Sequence, residues 1–71
     1  MVNLSMLKEK IEESGMTIVS IAEKAGLSRE TIYNRLKGKG EFTASEIVNL
    51  TDILHLSKSD RDDIFLPEKL N

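Results

Sequence analysis

Apolar residues recur along this chain at helical spacing. Leu4, Leu7 and Ile11 fall on one face of a helix predicted from about Asn3 to Ser14. Ile21, Ala22 and Ala25 turn inward over Thr17 to Ala25, and Ile32 and Leu36, four apart, do so over Ser28 to Lys37. Ile47, Leu50, Ile53 and Leu54 mark a fourth helix from about Thr43 to Leu54. A fifth, short helix is predicted from Ser57 or Ser59 to Phe65. No stretch alternates with the period of two that a half-buried strand needs. The pattern therefore predicts an all-α fold: a compact bundle of five short helices in a single domain spanning residues 1–71.

The polar residues between these stripes punctuate them. Glycines at 15, 26, 38 and 40 divide the chain into helical pieces. Three starts share one arrangement, an apolar residue before a polar cap and another apolar residue four positions after it. Met16-Thr17 with Ile21, Leu27-Ser28 with Ile32, and Phe42-Thr43 with Ile47 all fit this hydrophobic staple. Thr43 and Glu46 have the spacing of a capping box. Each cap contributes about 1 kcal/mol, which is substantial for so small a core.

Helices two and three, joined by a tight turn at Gly26, form a helix-turn-helix, whose second helix can lie in the DNA major groove. Ala22 is small enough for close approach of the two helices, and Leu27 and Ile32 lock the corner. With Ile32 and Leu36 facing the core, Arg29, Glu30, Tyr33, Asn34 and Lys37 are left outward or partly outward. Arg29 can donate two hydrogen bonds to guanine, Asn34 can pair bidentately with adenine, and Glu30 can accept from cytosine N4. Ser28 and Thr31, at a helix start with free N–H groups, suit base edges or phosphate. The expected base contacts are thus Ser28, Arg29, Glu30 and Asn34. The expected phosphate contacts are Thr17, Thr31, Tyr33, Arg35, Lys37 and Lys39. Plainer roles stay open at this point: Tyr33 as a lid over the core edge, and Glu30 in a local ion pair with Lys37 or Arg29.

Charge sharpens this picture. The whole chain carries a formal −2, with an isoelectric point near 5.3, which is unusual for a general nucleic-acid binder. The charge is segregated, however. Residues 24–39 hold Lys24, Arg29, Arg35, Lys37 and Lys39 against Glu30 alone, a local +4, while the remainder carries −6. A local positive patch can meet phosphate while the rest of the surface keeps the protein soluble.

The chemistry that is missing narrows the function further. There is no cysteine and only one histidine, so neither a disulfide nor a zinc site is expected, and no metal or cofactor. No nucleophile–base set or glycine-rich phosphate loop occurs, so an enzyme is not expected. The apolar runs are too short to span a membrane, and the first residues lack the pattern of a signal peptide. A cytoplasmic location is expected by default.

The stretch Ile-Ala-Glu-Lys-Ala-Gly-Leu-Ser-Arg-Glu-Thr-Ile-Tyr, residues 21–33, resembles the helix-turn-helix of the lambda-repressor-like family, the phage repressor and Cro type. The matching positions are Ala22, Gly26, Leu27, Ser28, Thr31 and Ile32. The later segment Gly-Lys-Gly-Glu-Phe-Thr-Ala-Ser-Glu-Ile and the ending near Ile64-Phe65 resemble small regulators of phages and prophages of low-GC Gram-positive bacteria. The resemblance implies a five-helix domain that binds a double-stranded DNA operator, often as a homodimer, without catalysis. Carried over by position, it implies base contacts at Ser28, Arg29, Glu30 and Asn34, with Tyr33 and Lys37 close by.

One departure stands out. The family commonly has glutamine at the first position of helix two, where it helps hold a phosphate. This chain has Ile18, followed by Val19. At most one of the two can be well buried with Ile21 and Ala22, so the pair offers an apolar contact for a protein partner. The main expectation is therefore a sequence-specific transcriptional regulator, a repressor. The alternative is a protein-binding modulator or antirepressor of a phage repressor, with an antitoxin-type regulator as a third reading.

Overall fold

A computed structural model describes residues 2–66. These residues form five α-helices: α1 (Leu4–Ser14), α2 (Ile18–Ala25), α3 (Arg29–Leu36), α4 (Ala44–Ile53) and α5 (Lys58–Phe65). The described residues contain no strand, so the all-α expectation holds.

Each helix begins one residue after its expected first residue, Ser57 being that of α5, for one reason. The polar residue at each start stays outside the helix and turns its side chain back onto it. Oxygens of Asn3, Thr17, Ser28, Thr43 and Ser57 accept the backbone N–H three residues on, from Met6, Ser20, Thr31, Glu46 and Asp60. This satisfies one of the donors that a helix start leaves unpaired. Ser57, not Ser59, caps α5.

The helix ends share a second device. After α2, α3 and α4, a left-handed residue lets two successive amides reach back to the last carbonyls. Gly26 and Leu27 donate to Glu23 and Ala22, Gly38 and Lys39 to Arg35 and Asn34, and His55 and Leu56 to Asp52 and Thr51. At α1 a side chain takes part: the Ser14 hydroxyl accepts from Met16 N–H and donates to the Ile11 carbonyl.

α2 packs on α3 and α4, and α5 bridges α1 to α4. Each helix sends one almost fully enclosed side chain inward: Leu7, Ile21, Ile32, Leu50 and Ile64. Full burial of such a side chain is worth about 1.5–3 kcal/mol, so each of these five sites contributes substantially to the cohesion of the bundle. The apolar partners of the three staples, Met16, Leu27 and Phe42, are half-buried against the same core. Phe42 meets Phe65 edge to face, with ring centroids 5.3 Å apart. The start of α1 and the end of α5 are tied by a backbone hydrogen bond of 2.7 Å from Asn3 N–H to the Ile64 carbonyl.

Candidate nucleic-acid interface

The corner between α2 and α3 is set by backbone. Gly26 has φ of 73°, and a Cβ built there would meet nothing within 4 Å. Glycine is therefore needed for conformation alone, not for space. Ala22 is buried, which lets the start of α3 come close, and Leu27 seals the corner as a half-buried residue. Asn49 Nδ2 reaches from α4 to the Ala25 carbonyl at 3.5 Å, so α4 also braces the end of α2.

α3 buries Ile32 and Leu36 and leaves a polar outer surface. At about 100° per residue, Glu30, Asn34 and Lys37 lie across the helix from that apolar pair. Arg29, Glu30, Tyr33 and Lys37 are exposed, while Thr31 and Asn34 are half-buried. Lys39 is exposed just beyond the helix. Tyr33 is 45 % exposed and does not act as a lid over the core. Among the described residues, Arg29, Lys37 and Lys39 pair with no carboxylate, so the local ion pair considered for Glu30 is not formed.

The capping hydroxyls are partly committed. Ser28 Oγ accepts the Thr31 amide and donates to Thr31 Oγ1, which leaves the Thr31 proton free to donate outward. Thr17 Oγ1 accepts from Ser20 N–H and likewise keeps a donor. The amides of Ile18 and Val19, in the first turn of α2, have no partner within their own helix. Hydroxyl protons and first-turn amides together are suited to phosphate oxygens.

Arg35 is placed differently from the other candidates. Expected at phosphate, it lies against α4, with Nε donating to Glu46 Oε1 and Nη2 to Glu46 Oε2, both at 3.2 Å. The pair is largely enclosed, with side chains 19 % and 10 % exposed. Glu46 Oε1 also accepts from Thr43 N–H at 3.0 Å, which completes the capping box of α4. The other side of the guanidinium rests on Gly40, where a Cβ would stand 2.7 Å from Nη1. The capping-box spacing identified Glu46, but not its second partner. The usable signal was the place of Arg35 on the helix, three residues after Ile32 and one before Leu36, at the border of the apolar face.

At the start of α2, Ile18 is half-buried against the core and Val19 is 40 % exposed. That agrees with the expectation that at most one of them can be well buried. No helix among the described residues is long and apolar enough to cross a membrane.

Neither a curated protein nor a solved structure matches this chain. The model of a family described as helix-turn-helix matches residues 7–60, from α1 into α5, and so takes in the whole α2–α3 corner and the connection to α4. Well over half of the chain is covered, and the matched span has the capped, glycine-turned geometry that the motif requires. The chain belongs to this helix-turn-helix family and is a DNA-binding regulatory domain.

Proposed function

We propose that this protein is a sequence-specific transcriptional repressor of the phage repressor and Cro type, working in the cytoplasm. The observation that carries this reading is the polar outer face of α3, where Arg29, Lys37 and Lys39 pair with no carboxylate among the described residues, beside a fixed corner. α3 enters the major groove, with Ser28, Arg29, Glu30 and Asn34 at base edges. Phosphates fall to Thr17, Thr31, Tyr33, Lys37 and Lys39. A homodimer sets two copies of α3 about 34 Å apart on a palindromic operator. Repression follows from occupancy of a promoter.

The test is selection of bound fragments from random genomic DNA at moderate salt, followed by sequencing. One enriched palindromic site supports the reading. Retention without enrichment, or no retention, removes it.

A second reading is favoured by the exposure of Val19 beside Ile18. In it, the start of α2 docks on another regulator, and the protein acts as a modulator or antirepressor. Val19→Lys separates the two. It adds a cation near the expected phosphate path, so DNA binding holds or tightens, whereas apolar docking on a protein is lost.

A further inference from the structure

Three separate parts of the chain converge on the Arg35 guanidinium. Arg35 comes from the last turn of α3 and Glu46 from the first turn of α4, eleven residues later. Gly40, midway along the connection, is in the left-handed region with φ of 81°, and the guanidinium fills the space a Cβ would need there, 2.7 Å from Nη1. Between them run Lys37 and Lys39, the two exposed cations of that connection. The Lys39 amide is held to the Asn34 carbonyl at 2.8 Å, and the Gly38 amide to the Arg35 carbonyl at 3.1 Å. The connection is thus fastened at its start by backbone and at its middle and far end by one side chain.

We infer that Arg35 is a positioning residue for the DNA-binding face. Through Glu46 and Gly40 it clasps the α3–α4 connection, and so fixes the Lys37 and Lys39 ammonium groups relative to the reading face of α3. Its charge is spent on Glu46, so it does not neutralise a phosphate. Lysine cannot replace it, because a point charge does not reproduce two parallel N–H···O bonds. This inference rests on the proposed DNA binding only for its second test below.

The first test needs no DNA. Amide hydrogen exchange is followed in the wild type, Arg35→Met, Arg35→Lys, Glu46→Gln and the double variant Arg35→Met/Glu46→Gln. The Gly38 and Lys39 amides are expected to lose protection in every single variant, by roughly tenfold, the scale of a coupled pair. The double variant should be no worse than the worse single. The Asp60 amide, capped by Ser57 at the far end of the bundle, should stay as in the wild type. Unchanged protection at Gly38 and Lys39, or an equal loss at Asp60, overturns the clasp.

The second test uses random-sequence duplex DNA over a range of salt. A positioning role predicts that Arg35→Met weakens binding with an unchanged slope of log affinity against log salt. A phosphate ligand would instead lower that slope by about 0.9. Glu46→Gln decides most sharply. It removes a negative charge, which by itself would strengthen DNA binding, yet a broken clasp weakens it. Stronger binding by Glu46→Gln overturns the inference. If the wild type itself holds no duplex, the repressor reading fails, and the exchange experiment still decides the clasp.

Discussion

The Ser28 hydroxyl accepts the Thr31 amide at 3.1 Å and donates to the Thr31 hydroxyl at 2.9 Å. One side chain therefore both caps α3 and orients its neighbour, whose remaining proton is left for an outside acceptor. The stability of α3 and the chemistry at its tip depend on the same oxygen.

Those two roles can be pulled apart. Ser28→Ala should lower stability by about 1 kcal/mol, as loss of a cap does. For a domain of this size that is a fall in Tm of about 4–8 °C. Ser28→Asp keeps a capping acceptor and adds a charge that suits a helix start, so its Tm should equal or exceed that of the wild type. Both variants should lose operator affinity, Asp the more, because its charge meets phosphate. Thermal unfolding and a binding titration on each variant check this. Full affinity in Ser28→Asp would show that the start of α3 does not face DNA.

Two left-handed residues give a matched pair of backbone predictions. His55 has φ of 54°, a conformation that strains a residue with a Cβ, whereas Gly26 has φ of 73° without that penalty. His55→Gly should therefore raise stability by about 0.5–1 kcal/mol, the relief of strain less the added freedom of the unfolded chain. Gly26→Ala should lower it by about 1 kcal/mol although nothing is crowded there. Urea unfolding at constant slope is the measurement. A loss in His55→Gly would mean that its side chain makes a contact worth more than the strain.

Most of this fold was legible in the residue pattern, because helix boundaries here are written locally. Thr17, Ser28 and Thr43 each act on an amide three residues away, and Gly26 and Gly38, with the residue after each, donate to carbonyls three to five residues back. What was not legible depends on distance in sequence. The partnership of Arg35 with Glu46 spans two helices, and no local rule distinguishes an arginine that faces phosphate from one that closes a loop. His55 gave no sign either, since left-handed closure favours glycine or asparagine. Ser57 and Ser59 were equivalent as caps by residue type. The choice between them was made by the tight closure through His55 and Leu56, which brings the chain to Ser57 already extended.

Gly40→Ala should cost more than Gly26→Ala, although both glycines are left-handed. At Gly26 a methyl group meets open space, while at Gly40 it stands 2.7 Å from Arg35 Nη1. The guanidinium must move, and its hydrogen bonds to Glu46 give way. In an Arg35→Met background the two costs should become equal, since only the backbone penalty is left. Unfolding free energies of the four variants test this, and a Gly40 penalty that persists without Arg35 would place the strain elsewhere.

Lys10 connects α1 to α5, with Nζ 3.3 Å from Asp60 and 3.6 Å from Glu13. The hydrogen bond and charge of Asp60, with a smaller contribution from Glu13, raise its pKa above the usual 10.5. A lysine that holds its proton more tightly when folded stabilises the fold fully below its unfolded pKa. That contribution is lost as pH rises through the folded value. Lys10→Met removes the component, so the Tm difference between wild type and variant should shrink as pH climbs past about 10.5. A difference that stays constant there would assign the effect to packing of the lysine stem.

The proposed complex divides the exposed cations of α3 and its connection into two that would sense charge and one that would sense sequence. Lys37 and Lys39 are exposed beyond the last turn of α3 and pair with no carboxylate among the described residues; in the proposed complex their ammonium groups follow a phosphate strand. Arg29 is exposed at its first turn, where a planar fork can match guanine. Lys37→Ala and Lys39→Ala should each weaken binding evenly across duplex sequences and lower the salt slope by about 0.9. Arg29→Ala should cost about 1–3 kcal/mol at one base pair of the operator and relax the preference there. Titrations on the selected operator and its single-base variants, repeated at several salt concentrations, distinguish the two classes. Arg29→Ala that weakens all sequences alike would move Arg29 to the phosphates. Sequence reading would then rest on Asn34 and Glu30, which lie on the side of α3 opposite its apolar face.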